Sequence, residues 1–290
     1  MKFLRSSLLK IALFTLIASL LLITYYPLTI DFNIYNPFWN GYEVLVKELN
    51  ATVITRSFTL PKNPNGYVLI LVPYVKPSIE VLSSIKDFVR RGGTLLLMDD
   101  YGFGNSVLEY LEAPVRFTGY PLIDPLFHYK SVKLPKIMGF MGILSGLREM
   151  YFNYATALNI SSGVHVYALS SSFSFLDLNF NGAYDEGEPK GPFPVIVGFR
   201  YGNGRVIVVS DPSIGINVMI GLGDNLEFFR RICSSFKVIV DQTLIPSNIH
   251  FILKSMIMAF TTYILDQPFL SILIVAVIMG LAFSILRRGK

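Results

Sequence analysis

The stretch from Asp177 to Glu188 reads Asp-Leu-Asn-Phe-Asn-Gly-Ala-Tyr-Asp-Glu-Gly-Glu. It matches a twelve-residue calcium loop position by position. Side-chain oxygens fall at the first, third and fifth places, on Asp177, Asn179 and Asn181. Gly182 follows, where such a loop must turn sharply. Ala183 then offers its backbone carbonyl, Asp185 supplies a further oxygen, and Glu188 stands where a bidentate carboxylate belongs. A hard cation takes about six to eight oxygens, and alternate positions of a tight loop aim them at one centre. The expected cofactor is Ca2+ in a structural role. Three ligand carboxylates favour weak affinity, of the order of 0.1–1 mM, as in extracellular modules.

A second set of polar residues ends two apolar runs. Asp99 and Asp100 follow Thr94 to Met98. Asp211 and Ser213 follow Arg205 to Ser210, with Asn217 and Asp224 shortly after. In open α/β sheets, ligands bind in the crevice beyond the carboxyl ends of the strands. These six residues are therefore candidates to hold a sugar, a cation or a partner's basic group. Asp and Ser after strands also make turns and helix caps. Carboxylates about 5–10 Å apart in an open cleft would suit hydrolysis; carboxylates turned onto helix starts would suit a binding module. His128, His165 and His250 lie in separate segments. The single cysteine, Cys233, excludes an internal disulfide and a Cys-based zinc site, and reads as a core residue on a helix face.

Alternating strand and helix patterns must position these groups. Leu28 to Ile34 reads as extended, and Asn40 to Glu43 has the form of a capping box opening a short helix. Ala51 to Thr55 and Tyr67 to Val72 read as strands, the latter of buried type. Ser78 opens a helix with Leu82, Ile85 and Val89 on one face, closed by Arg90, Arg91 and Gly92. Pro194 to Phe199 and Arg205 to Ser210 flank the turn Tyr201 to Gly204. Asp224 to Glu227 forms a second capping box ahead of a helix, and Val238 to Val240 gives a last strand. Residues 113–192, rich in short β-type segments, read as an insertion at one end of the sheet. The fold class expected is α/β, a doubly wound, mostly parallel sheet.

The chain is 52% hydrophobic and only 16% charged, and the apolar excess sits at its ends. Ile11 to Tyr26 lies behind Lys2, Arg5 and Lys10, and Phe269 to Leu286 precedes Arg287, Arg288 and Lys290. Each run approaches the length of a membrane span. Basic flanks on both predict two spans in the cell membrane, both termini cytoplasmic and the central region exterior. The acceptor tripeptides at Asn50 and Asn159 agree with that side. The expected divisions are an anchor over 1–27, an exterior domain over 28–247, a juxtamembrane helix over 248–267 and a span with basic tail over 268–290. The net charge of +5 comes partly from the basic flanks, so no nucleic-acid site is expected.

The runs Tyr67 to Val72, Phe88 to Leu97 and Gly204 to Ser213, with Asn217 and Gly223-Asp-Asn225, resemble a prokaryotic domain of unknown function. That family has a glutamine-amidotransferase-like, Rossmann-like fold. The calcium-type loop followed by Gly191-Pro-Phe-Pro-Val195 is similar to its archaeal members. The resemblance implies membrane proteins in which the domain sits beside transport or assembly machinery. Amidotransferases of this fold need a cysteine nucleophile on a strained turn, activated by histidine. Here that turn carries Asp99, Asp100, Tyr101 and Gly102, and Cys233 lies in a helix pattern.

The expectation is thus a non-catalytic, membrane-anchored exterior module that holds an envelope partner protein or a glycan. The alternatives are a cell-envelope hydrolase working through Asp99, Asp100 and Asp211, or an accessory subunit of a membrane transport system.

Overall fold

The structure is a computed structural model and describes residues 2–267 and, beyond them, 272, 276, 279 and 280. In chain order the elements are α1 (Lys2–Tyr25), α2 (Glu43–Glu48), β1 (Thr52–Ile54), β2 (Tyr67–Leu71), α3 (Ile79–Arg90), β3 (Thr94–Met98) and α4 (Gly104–Tyr110). Short strands then follow: β4 (Val115–Phe117), β5 (Leu122–Ile123), β6 (His128–Tyr129), β7 (Ser131–Ile137), β8 (Gly139–Phe140), β9 (Met150–Tyr151), β10 (Leu158–Ile160), β11 (His165–Leu169) and β12 (Phe175–Leu176). The chain ends its main body with β13 (Pro194–Tyr201), β14 (Gly204–Val209), α5 (Asn225–Cys233) and β15 (Lys237–Asp241), before α6 (Ile249–Leu265). Two compact units result: Pro27–Pro246, and Met1–Tyr26 with Ser247–Lys290.

The larger unit is built on an eight-stranded sheet in the order β1-β15-β2-β3-β14-β13-β11-β8. Pairing is parallel from β1 through β14 and antiparallel from there to the β8 edge. The unbroken apolar runs of β2 and β3 follow from burial on both faces. Val68, Ile70, Leu96 and Met98 face Tyr42 and Leu45 of the α2 region and Phe228, Phe229 and Ile232 of α5. Leu69, Leu71, Leu95 and Leu97 face Ile85, Phe88 and Val89 of α3 and Val107 and Leu108 of α4. Period-two alternation in the strands thus feeds two cores, one on each side of the sheet. The fold is mixed α/β with a large sheet. Part of the β-rich segment joins it, since β11 and β8 extend its antiparallel edge.

Ser78 caps α3, its Oγ accepting from Val81 N–H at 3.4 Å. The other two expected caps form differently. Tyr42, not Asn40, precedes α2 and gives no side-chain cap. Instead Asn217 Oδ1 accepts from Val44 N–H at 2.9 Å, from 173 residues away. Asp224 precedes α5 without capping it; its Oδ2 accepts from Arg148 N–H at 2.6 Å. Leu28 to Ile34 forms turns rather than a strand, because buried Gln242 occupies its backbone: Ile34 N–H donates to Gln242 Oε1 and Gln242 Nε2 donates to Phe32 O.

In the smaller unit, His250 Nε2 lies 3.0 Å from Ile23 O and Lys254 Nζ donates to Tyr26 O at 2.9 Å. Among the described residues, no helix is long and apolar enough to cross a membrane. This corrects the two transmembrane helices expected from the terminal runs, and with them the cell-membrane placement and exterior domain. Lys10 limits the uncharged part of α1 to Ile11–Tyr25, about 22 Å at 1.5 Å per residue, against a hydrocarbon core of about 30 Å. α6 has 17 residues and contains His250 and Lys254. The run from Phe269 to Leu286 lies almost wholly outside the described residues.

Candidate functional site

The chain leaves β2 at Val72 and β3 at Asp99, on the same side of the sheet as the Asp211–Pro212 exit from β14. Between these exits opens a crevice of about 380 Å³, lined by Asp31, Tyr74, Asp100, Tyr101 and Phe103 among others. Asp99 is buried beside it. Gly102 N–H donates to Asp99 Oδ1 at 3.0 Å and Gly104 N–H to Oδ2 at 2.6 Å. Both glycines are required for that approach. A Cβ on either would come within 2.6 Å of the Asp99 carboxylate, closer than real Cβ contacts allow. The pattern Asp-x-x-Gly-x-Gly after a buried strand was the sequence signal for this turn.

Asp211 is fully buried. Its Oδ1 accepts from Ser213 N–H and its Oδ2 from Asn153 N–H, each at 2.6 Å. Asp211 thereby caps the short 3-10 turn Pro212–Gly215. Asp100 is less buried, and Tyr101 N–H donates to its Oδ1 at 2.6 Å. Tyr101 Oη donates to Ala155 O at 3.2 Å and ties the crevice wall to the β-rich segment.

Burial shapes the electrostatics. It pushes the Asp99 carboxyl up to about 6 against the opposing pull of the Gly104 and Gly102 N–H groups. Burial raises Asp100 to about 7, with the Asp99 charge adding to it. Asp211 is held well above the carboxylate range by burial and then by the charge of Asp100. The same two carboxylates raise the Tyr42 hydroxyl, after burial. Asp99, Asp100, Asp211 and Ser213 therefore come together. Asn217 and Asp224 do not join them: Asn217 Nδ2 donates to Phe38 O at 2.6 Å, and Asp224 holds the 148–149 backbone. The aromatic wall carried no single sequence pattern, since Tyr74 comes from the loop after β2 and Tyr101 and Phe103 from the loop after β3.

The calcium-type loop leaves β12 and returns at Lys190, which bridges Phe175. Asp177 and Glu188 are 1% and 7% exposed, although acidic residues are rarely buried without partners. Asp177 accepts from Asn181 N–H and Gly182 N–H, and Glu188 from Leu178 N–H and Asp185 N–H. Gly182 turns the chain at φ +78°, as its place in the pattern requires. Asn179 Nδ2 and Asn181 Nδ2 both donate to Asp185 Oδ2 at 2.6 Å. Half a turn of either amide exchanges its nitrogen for its oxygen at the same place. The donor set of carboxylate, amide and carbonyl oxygens is that of a hard cation. Among the described residues, no three His, Cys, Asp or Glu side chains are gathered closely enough to hold a metal ion by themselves.

Cys233 is buried on α5, and burial pushes its thiol up to about 12, far from a reactive thiolate. His128 and His165 lie on β6 and β11, and no histidine lines the crevice.

Among solved structures, the chain is similar to the mmIFT52 N-terminal domain, at 13% identity and a TM-score of 0.46, covering 57% of this chain and 74% of that one. It is similar to a β-galactosidase from Bacillus circulans sp. alkalophilus at 14% identity and a TM-score of 0.37, covering 59% of this chain and 23% of the galactosidase. A cytoplasmic protein from Salmonella typhimurium LT2 aligns at 17% identity and a TM-score of 0.36, covering 54% of this chain and 60% of the other. The chain thus spans less than a quarter of the galactosidase. No curated protein matches it. The profile of a family described as a domain of unknown function, DUF4350, matches residues 34–232. With more than half of its length inside that match, the chain belongs to the DUF4350 family.

Proposed function

We propose that the larger unit is a non-catalytic binding module of glutamine-amidotransferase-like type, close to archaeal forms, whose crevice holds a sugar. One observation carries this reading. Asp99 and Asp211 each have both carboxylate oxygens engaged by backbone N–H groups. They fix the loops after β3 and β14; Asp100, whose Oδ1 accepts from Tyr101 N–H, is the one of the three that is only half-buried at the crevice. Acid-base hydrolysis of a glycosidic bond uses two available carboxyls. Asp100 beside the rings of Tyr74, Tyr101 and Phe103 suits recognition, because sugars offer C–H faces to aromatic rings and hydroxyls to a carboxyl; Asp31, also on the crevice, is engaged by Asn40 Nδ2. Burial raises Asp100 to about 7. It can then both donate and accept near neutral pH, which a string of hydroxyls needs. In this reading a calcium ion in the 177–188 loop braces the neighbouring β-rich segment. Asp177, Asn179, Asn181, the Ala183 carbonyl, Asp185 and Glu188 would hold it.

The test is binding of the purified chain to a panel of neutral oligosaccharides. Saturable binding to one glycan class should fall at least about tenfold in Asp100→Asn and in Tyr101→Ala. No bound glycan should be cleaved on prolonged incubation. Release of reducing ends that disappears in Asp100→Asn would replace the module with the hydrolase. Retention of a protein with a basic segment, and of no glycan, would replace the sugar with a partner's cationic group.

A further inference from the structure

At the opposite end of β3 from the crevice, a trough of about 600 Å³ opens across the starts of β3 and β14. Its size falls within the range of small-molecule sites, about 300–1,000 Å³. Arg200 on β13 and Arg205 on β14 are direct cross-strand partners, so their side chains leave the same face of the sheet. Like charges at such positions repel. Both arginines line the trough together with His165, and no Asp or Glu does. Among the described residues, neither guanidinium lies within ion-pair distance of a carboxylate. Arg90 and Arg91 differ on this point, for both pair with Asp87.

The trough is also shaped. Arg205 is held in place: its Nε donates to buried Thr94 Oγ1 at 3.2 Å, and its guanidinium lies 5.2 Å from the centre of the Phe236 ring. Its remaining N–H groups are left for another acceptor. His165 pairs with Gly198 across β11 and β13. A Cβ at Gly198 would come within 2.5 Å of the Tyr167 ring. The glycine thus leaves room for the Tyr167 ring. A repelling arginine pair, a histidine beside it and a lining without acids define an anion site. Tyr167, Ile143 and Phe236 give it an apolar floor. Guanidinium forks match tetrahedral oxyanions in bidentate fashion.

We propose that this trough binds a phosphate monoester with a flat apolar group: Arg200, Arg205 and His165 take the phosphate, and Tyr167 and Phe236 take the flat group. The site is separate from the sugar crevice and does not depend on that reading.

Phenyl phosphate is the probe, titrated calorimetrically into the purified full-length chain, with inorganic phosphate and phenol alongside. Phenyl phosphate should bind saturably at one site, inorganic phosphate more weakly, and phenol not at all. Arg200 is exposed, so Arg200→Gln should fold and should weaken phenyl phosphate at least about tenfold. Arg200→Gln with His165→Gln should remove binding. Lys47→Gln, on α2 and outside the trough lining, should leave it unchanged. Three results would overturn the proposal: no saturable uptake by about 10 mM, affinity in Arg200→Gln equal to that of the unsubstituted chain, or equal losses in Lys47→Gln and Arg200→Gln. The last would mark attraction to net charge only.

Discussion

Asp177 and Glu188 are buried acids, and burial of a charge is costly unless it is compensated. Four backbone N–H groups compensate them here, and a bound cation would do so further. The consequence is measurable as linkage. Calcium held only by the folded chain should raise the melting temperature with concentration, by about 2.7 kcal/mol at a hundredfold excess over the dissociation constant. Asp177→Ala with Glu188→Ala should lose that response and keep the sheet's circular dichroism, since neither residue is part of the two hydrophobic cores. Magnesium should substitute poorly, because it demands a tighter octahedral shell. Absence of calcium uptake by calorimetry up to about 10 mM, above the range of known extracellular sites, would reduce the loop to a turn.

Helix α2 has only 6 residues, too few to be stable in isolation. Its sequence supplies no working cap. Leu45 anchors it to the core, and Asn217 caps it from the loop after β14. The same side chain donates to Asn36 O at 3.0 Å and to Phe38 O at 2.6 Å, so one amide ties three segments. Asn217→Ala should therefore cost about 1–2 kcal/mol, or roughly 2–8 °C in melting temperature for a unit of this size. Asn217→Asp keeps the acceptor for Val44 but sets a carboxylate oxygen against the Asn36 and Phe38 carbonyls, and should cost at least as much as Asn217→Ala. A loss below about 0.3 kcal/mol in urea unfolding of Asn217→Ala would show that core packing alone holds the helix.

The sheet gathers three carboxyls beneath one crevice, and that reaches the stability of the whole domain. The folded carboxyls of Asp99 and Asp100 titrate near 6 and 7, and Asp211 is raised as well. Unfolded, each would titrate near 3.8. A raised folded value means that the folded state binds more protons between those limits. The contribution is fully present below about pH 4 and is lost as pH rises through 6 and then 7. Stability from these groups thus falls toward neutrality, by at most about 1.4 kcal/mol per pH unit for each. Asp100→Asn should flatten the slope of urea-derived stability between pH 5 and 7 (approximate limits set by the two titrations). Parallel slopes in the variant and the unsubstituted chain would remove Asp100 from this role.

Local pattern determined much of this protein. The apolar runs of β2 and β3, the 3.6-residue stripe of α3 with its Ser78 cap, and the position of Gly182 depend on neighbours in sequence. Their boundaries in the fold follow the pattern within a residue or two. That the residues after β3 and β14 meet was also legible, because parallel strands carry their exits to one edge of a sheet. What each exit residue does there was not. Asp99 and Asp211 became loop braces, Asp100 faces the crevice, Asn217 became a distant cap and Asp224 a clamp on the 148–149 backbone, since each assignment depends on N–H groups brought close only by folding. The Leu28–Ile34 segment turned away from strand form for the same reason, through Gln242. Hydropathy counted the apolar ends as spans, whereas no described helix has the length and composition for one. The Arg200–Arg205 trough was hidden because strand register, absent from any single stretch of sequence, is what sets two like charges side by side.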